Sequence, residues 1–131
     1  MTRSYWVVWQ GPVHLQSGIG HASREYVKAL RRAGVRVSVN TANGLGKGGK
    51  IHRVLIFHHT PDQLDAARER KRFDTVIVNT VWETTRVPKR WVRPLNASDA
   101  VFIPSRHNRQ ALLRSGVRVP IHIVPHGVNA R

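Results

Sequence analysis

Residues 17–20, Ser-Gly-Ile-Gly, come directly after a strand-like apolar run and open a helix-like segment. Glycines let an anion approach the backbone closely, and the first turn of a helix carries N–H groups that lack intrahelical acceptors. This spacing favours phosphate binding at Gly18 and Gly20 over the alternative of a plain glycine turn. It is not the dinucleotide fingerprint G-x-G-x-x-G, because Ser23 stands three residues after Gly20.

Residues capable of acid–base or stacking chemistry follow two further apolar runs. Glu83 is the leading candidate to hold a substrate hydroxyl or to act as a base, and a structural ion pair with Arg86 is the alternative role. His58 and His59 could contact substrate or accept a proton, although neighbours in a strand point apart and one can simply pack. Trp82 could stack on a sugar or a base, with burial as the alternative.

The sequence disfavours several common kinds of catalytic site. It has no cysteine, and its histidines and 7 carboxylates show no spacing such as His-Glu-x-x-His, so no metal or other cofactor is expected. Ser17 and Ser105 are interpreted first as helix caps, which argues against a Ser-His-acid triad. Gly44 to Lys50 fits G-x-x-x-x-G-K, but Ile51 replaces the Ser or Thr and a strand-like run follows, so a flexible basic loop is expected.

An alternation of strands and helices would position these residues. It predicts an α/β fold with a Rossmann-like, mainly parallel sheet flanked by helices on both faces, in one domain that spans residues 1–131. Ligands bind such sheets beyond the carboxyl ends of the strands, so Gly18, His58, Glu83, Ser105 and His126 are expected along one edge. The predicted strands are Tyr5 to Trp9, Val35 to Val39, Val54 to Phe57, Thr75 to Val78, Ala100 to Ile103 and Ile121 to Val124.

Four helices are predicted between the strands, from about Ile19 to Ala33, from Pro61 to Arg72, from near Pro88, and from Ser105 to Gly116. Pro94 is expected to kink or shorten the third helix. The strand of Val35 to Val39 alternates with polar residues, which indicates an edge position or poor cover on one face. The core-facing stripe of the first helix is predicted to be Ile19, Ala22, Tyr26, Val27, Leu30 and Ala33.

The charge is the unusual feature of the composition, because 22 Lys and Arg stand against 7 Asp and Glu and give a net charge of +15. Such a field attracts polyanions, so a basic module that binds nucleic acid or an anionic membrane through Arg68 to Arg72 and Arg86 to Arg93 is the alternative function. Nucleic acid is disfavoured, since no aromatic platform or known motif accompanies the clusters. The apolar run Tyr5 to Trp9 is too short for a signal peptide or a membrane span, which leaves peripheral attachment to the inner membrane face open. The absence of cysteine fits a reducing compartment, so a cytoplasmic protein is expected.

Three stretches together resemble the N-terminal domain of family-four, GT-B fold glycosyltransferases, retaining hexosyltransferases that use nucleotide sugars. They cover over half of the chain in the right order: QGPVHLQSGIGHASREYVKALRRAGVRV, VWETTRVPKRWVRPLNASDAVFIPS and NRQALLRSGVRVPIHIVPHGVN. The resemblance implies the acceptor-side half of such an enzyme, with the donor-binding domain absent from these residues and supplied in cis or in trans. The isolated chain is then expected to be inactive and, through an uncovered cleft face, to self-associate.

The resemblance also implies roles for individual residues. Gly18 and Gly20 would approach the donor diphosphate, and no metal would be needed. Glu83 and Thr84 would line the acceptor side of the cleft, together with His58, His59, Trp82, Ser105 and His126. The chain departs from the family at Asn129, where Asp commonly follows Gly-Val, and at Pro94, which interrupts a helix that is usually continuous. The paired glutamates of the family belong to the second domain and are not found here.

Overall fold

The computed structural model of the chain describes residues 4–41, 50–81 and 86–125. These residues form six strands, four α-helices and a short 3₁₀ turn at Pro61–Gln63. Every neighbouring pair of strands is parallel. In chain order the elements are β1 (Ser4–Gln10), α1 (Gly18–Arg32), β2 (Arg36–Val39), β3 (Ile51–Phe57), α2 (Ala66–Arg72), β4 (Thr75–Asn79), α3 (Lys89–Asn96), β5 (Ala100–Ile103), α4 (Arg106–Arg114) and β6 (Ile121–Ile123).

The strand order across the sheet is β2-β1-β3-β4-β5-β6. The chain first moves from β1 to β2 and later runs from β3 towards β6 on the other side of β1. Right-handed crossovers in opposite directions place their helices on opposite faces of a sheet. The predicted Rossmann-like α/β fold with helices on both faces is therefore confirmed, and β2 lies at an edge as its alternating pattern indicated.

Two separate apolar clusters lie on the two faces, because successive strand residues point to opposite sides. Val27 of α1 packs with Val7, Trp9, Val54 and Ile56 on one face. On the other face, α2, α3 and α4 cover a larger cluster, to which they contribute Ala66, Trp91, Leu95 and Leu112. One helix therefore covers the first face and three cover the second, and β1 and β3 contribute residues to both clusters.

The helix ends follow local capping chemistry. The Ser17 hydroxyl accepts from the Gly20 N–H, and the Ser105 hydroxyl accepts from the Asn108 N–H at 3.3 Å. Gly116 follows α4 with φ 102°, a left-handed conformation that favours glycine. Both predicted serine caps are confirmed. Pro94 lies inside α3, which ends two residues later at Asn96 after eight residues.

The predicted core stripe of α1 is only partly right. Ala22 and Val27 are buried, but Ile19 is 41% exposed, and Ala33 lies after the helix end and is exposed. Ser23, which is not part of the predicted stripe, is completely buried. A buried hydroxyl needs hydrogen-bond partners, and those of Ser23 are Trp9 and His58, which belong to the candidate site.

Among the described residues, the longest helix has fifteen residues, and none of the helices has the length and apolar character to cross a bilayer.

Candidate functional site

The carboxyl ends of β1 and β3 form the topological switch point of the sheet. β1 continues into α1 on one face, whereas β3 continues towards α2 on the other, so the two following segments diverge and leave a crevice. Ligands of doubly wound sheets bind at such a point. Residues 11–20 after β1 and His58 with His59 after β3 therefore lie together at the edge where sequence reasoning expected the site.

The turn after β1 is held by a two-point amide pair. The side chain of Asn40, directly after β2, donates from Nδ2 to the Gly11 carbonyl and accepts the Gly11 N–H at Oδ1, both at 2.9 Å. Asn40 adopts φ 54°, the left-handed region that asparagine tolerates better than most residues. The Arg24 guanidinium also donates to the carbonyls of Val13 and Leu15 at 2.7 Å. The path of this turn is thus fixed from both β2 and α1.

Beneath the turn lies a buried polar trio of Trp9, Ser23 and His58. The Trp9 indole N–H donates to the Ser23 hydroxyl at 2.9 Å, and that hydroxyl lies 2.6 Å from His58 Nδ1. The hydroxyl either donates to Nδ1 or accepts from a protonated Nδ1, according to the tautomer of the imidazole. The three side chains link β1, α1 and β3 directly below the crevice.

Gly11 is required by its contact with this trio. A Cβ at this position would lie 2.6 Å from Ser23 Oγ, 2.7 Å from Trp9 Nε1 and 3.0 Å from His58 Cβ. These separations are well inside van der Waals contact, so no side chain fits without displacing the hydrogen-bonded groups. Glycine at the end of β1 therefore serves packing.

Above the trio, a cavity of about 520 Å³ opens at the switch point, which we call the switch-point cavity. Its volume falls in the range of small-molecule sites, about 300–1,000 Å³. It lies between the turn after β1 and the 3₁₀ turn after β3. The described residues that line it are Gln10, Gly11, Pro12, His14, Leu15, Ile19, Asn40, His59, Thr60 and Gln63.

Two ionisable side chains near this cavity are shifted towards their neutral forms. Burial lowers the pKa of His59 below its usual value of 6.5. Burial also raises the pKa of the Tyr26 phenol to about 12. Tyr26 packs against the Trp9 and His58 rings, and its hydroxyl donates to the Val124 carbonyl at 2.9 Å. A neutral phenol thereby joins α1 to the segment that follows β6.

A second cavity, of about 350 Å³, lies near α2, and we call it the α2 cavity. It shares Gln10 and Asn40 with the switch-point cavity, but Arg68 and Arg72 also line it. Glu69 stands between these arginines with its carboxylate buried, and it accepts from Arg68 at 2.9 Å and from Arg72 at 3.0 Å. The α2 cavity therefore has two arginines in its lining, both paired with Glu69.

The two glycines predicted to bind phosphate have different surroundings. Gly20 is buried, its N–H donates to the Ser17 cap, and a Cβ there would collide with the Leu15 carbonyl. Gly18 is exposed at the start of α1, and no heavy atom lies within 4 Å of an added Cβ. Packing alone accounts for Gly20, whereas Gly18 has no such packing requirement. Phosphate binding at both positions stays a prediction.

Other predicted site residues are separated from the crevice or lie outside the described residues. His58 belongs to the buried trio, so of the histidine pair only His59 lines the switch-point cavity. Ser105 caps α4 after β5, two strands along the sheet from β3. The predictions for Trp82, Glu83, Thr84 and His126, and for the loop of Asn43 to Lys50, concern positions that lie outside the described residues, apart from Lys50 itself.

Sequence reasoning missed Trp9, Ser23 and Asn40 as parts of the site. In the sequence, Trp9 is indistinguishable from the other apolar residues of its strand, and the pattern around Ser23 indicates a polar residue on an exposed helix face. A signal was present at Asn40, because asparagine directly after a strand is typical of a left-handed turn residue. Its pairing with Gly11 depends on β2 lying beside β1, which periodicity does not specify.

No group of three or more His, Asp or Glu side chains arranged to hold a metal ion is found in residues 4–41, 50–81 and 86–125. The polar groups of the site are instead amides, imidazoles, hydroxyls and backbone N–H donors, which suit hydrogen bonding to an organic ligand. No protein-family model matches the chain, and comparison with the curated proteins finds no significant relative.

Proposed function

We propose that this chain is the N-terminal, acceptor-side domain of a GT-B glycosyltransferase that transfers a hexose from a nucleotide sugar to an acceptor hydroxyl. The observation that carries the proposal is the meeting of the turn of residues 11–20 with His59 at the β1/β3 switch point. Sheets of this kind use that point for small organic ligands. The three stretches that resemble family-four enzymes supply the reaction class.

The proposed active site is completed by a second, donor-binding domain, in cis or in trans. Closure of that domain over the carboxyl edge would exclude water from the activated sugar. The first turn of α1, including the exposed Gly18, would offer backbone N–H donors to the leaving diphosphate. Glu83 and Thr84 would help to position the acceptor, as the family resemblance implies. No metal has a part in this scheme.

The alternative of a basic module for nucleic acid or an anionic membrane draws support from the net charge of +15. The described ion pairs weaken it, because much of the proposed binding surface already has partners. Arg68 and Arg72 contact Glu69, Arg70 contacts Asp99, and Arg90 contacts Asp62. Membrane attachment is compatible with the transferase, since an enzyme that acts on lipid-linked acceptors could dock through the same residues.

The test is an amide chemical-shift titration of the ¹⁵N-labelled chain with UDP-glucose, GDP-mannose and ADP-glucose in turn. We expect at least one donor to shift amides within residues 11–20, including Gly18, with millimolar affinity. Duplex DNA and anionic vesicles serve as the comparison, each at low and high salt. The proposal fails if no nucleotide sugar shifts these amides, or if duplex binding persists at high salt.

A separate assay addresses the two-domain site. The isolated chain, supplied with the same donors and a panel of acceptors, is expected to release no nucleoside diphosphate, because half of the catalytic cleft is missing. Sustained turnover by this chain with no second protein present would contradict the proposed division of the site.

A further inference from the structure

The switch-point cavity has no formally charged side chain among the described residues that line it. This is unusual for a chain in which 29 of 131 residues, the sum of 22 basic and 7 acidic ones, are charged. Arg24 contacts the same turn, but its guanidinium donates to the carbonyls of Val13 and Leu15. The excess positive charge of the protein is therefore carried outside this lining.

The polar groups of the lining suit hydroxyls better than anions. Gln10 and Gln63 each offer both a donor and an acceptor, as a sugar hydroxyl does, and the Thr60 hydroxyl, which donates to the Asp62 carboxylate, can still accept. An anion removed from water requires charge-assisted donors, typically arginine or lysine, to offset its desolvation. An uncharged hydroxyl loses much less on entering the same site.

The cavity also offers apolar surface beside these polar groups. Leu15 and Ile19 are 42% and 41% exposed, and both belong to the lining. The C–H face of a pyranose ring is apolar, and the hydroxyls project from the edge of the ring. A sugar is therefore complementary to a wall that has both apolar and hydrogen-bonding side chains. A ring that packs against Leu15 and Ile19 would remove this apolar surface from water.

His59 adds a neutral imidazole to this wall. Burial lowers its pKa, so near neutral pH one ring nitrogen donates and the other accepts. His14, an exposed residue of the turn after β1, is the second histidine of the lining. A neutral imidazole is complementary to a hydroxyl, whereas an imidazolium would favour an anion.

We propose that the switch-point cavity binds an uncharged carbohydrate, so that the acceptor is a neutral sugar and not a sugar phosphate. The assignment of this sugar as the acceptor rests on the proposed function, whereas the carbohydrate site itself is inferred from the residues that line the cavity. The amides and Thr60 bind the hydroxyls, and Leu15 and Ile19 pack against the ring face. On this proposal the sugar does not bind in the α2 cavity, which Arg68 and Arg72 line.

The test compares neutral and phosphorylated sugars on the ¹⁵N-labelled chain. The neutral probes are the methyl α-glycosides of glucose, mannose and galactose, and the charged probe is glucose 6-phosphate. We expect a neutral glycoside to shift the amides of Leu15, His59 and Gln63, and glucose 6-phosphate to bind there about tenfold more weakly. The inference is overturned if the phosphate binds this cavity as tightly as the best neutral glycoside, or if no neutral glycoside shifts these amides.

A pair of matched variants identifies the cavity as the source of the shifts. Gln63→Ala removes an exposed amide of the lining, and we expect it to weaken glycoside binding about tenfold. Gln16→Ala removes another exposed amide, in the turn after β1 but not part of the lining, and it should leave binding unchanged. Equal losses in both variants would overturn the assignment to this cavity.

The two proposals fail in distinguishable ways. Nucleotide-sugar shifts at Gly18 together with sugar-phosphate binding in the cavity would refute the neutral acceptor and support the transferase. Neutral glycoside binding without any nucleotide-sugar shift would support the carbohydrate site and refute the transferase.

Discussion

The switch-point cavity and the α2 cavity share Gln10 and Asn40 but differ in charge. Among the described residues the first has no Asp, Glu, Lys or Arg in its lining, whereas two arginines line the second. Both belong to a protein with a net charge of +15. The difference teaches that net charge describes the surface as a whole and does not identify the chemistry of a particular cavity.

The two cavities also differ in what fixes their walls. The switch-point cavity lies next to the buried trio, whose side chains are held by hydrogen bonds. The backbone at Gly11 packs so closely against this trio that no side chain fits there. The α2 cavity depends on ion pairs whose arginine side chains are 63% and 40% exposed. Solvent weakens ion pairs of that kind, so we expect the first cavity to be the more rigid of the two.

The largest effect is expected for a variant that tests how tightly the backbone beside the switch-point cavity is packed. In Gly20→Ala the new Cβ collides with the Leu15 carbonyl, and a backbone atom cannot rotate away as a side chain can. We expect the free energy of unfolding to fall by about 3 kcal/mol, measured by urea denaturation. Gly18→Ala is the matched control in the same helical turn, and it should be neutral or stabilising by up to about 1 kcal/mol. Equal effects in the two variants would show that this wall is not fixed by packing.

The next effect concerns the buried trio. Ser23→Ala leaves the Trp9 N–H and His58 Nδ1 without the hydroxyl that now joins them. Loss of a buried partner costs about 1–3 kcal/mol, so unfolding should become easier by that amount. A double-mutant cycle with Trp9→Phe should show coupling between the two positions. Strictly additive losses would mean that the trio does not act as a unit.

A smaller effect should appear at the α2 cavity. Glu69→Gln removes the carboxylate between Arg68 and Arg72, and we expect destabilisation of about 1 kcal/mol because both arginines are well exposed. The released guanidiniums should also bind inorganic diphosphate more tightly, as seen in amide shifts near Arg72. Glu25→Gln makes the same charge change beside Lys28, away from both linings. If it strengthens diphosphate binding equally, the effect is one of net charge alone.

The smallest effect is a pH dependence at His59. Because burial lowers its native pKa, the unfolded chain binds a proton at this residue more readily than the folded chain. This residue therefore contributes a loss of stability as pH falls through about 6.5, the unfolded pKa, and none well above it. His59→Gln should flatten the fall of unfolding free energy below that pH, measured by urea denaturation over a range of pH. Parallel curves for the wild type and His59→Gln would contradict this expectation.

The fold could be predicted from the sequence because each element carries a local signal. Apolar runs of strand length gave all six strands, and Ser105 with Gly116 bounded α4 closely. Such patterns depend on the period of the element and on turn chemistry, both of which are properties of neighbouring residues.

The candidate site could be predicted only at the level of its edge. The trio joins residues 9, 23 and 58, which meet only because β3 pairs with β1 in a particular register while α1 crosses above them. Burial of Glu69 likewise depends on how the short α2 sits on its sheet face. Periodicity shows which side of an element is apolar but not which residues of another element it will meet.

The bond from the Tyr26 hydroxyl to the Val124 carbonyl has a mechanical consequence. Tyr26 lies eight residues beyond Gly18 on α1, about 12 Å along the helix axis, so this bond ties the segment after β6 to the helix whose first turn carries the two glycines. A displacement of the segment after β6 is therefore expected to change the position of Gly18 and Gly20 at the mouth of the crevice.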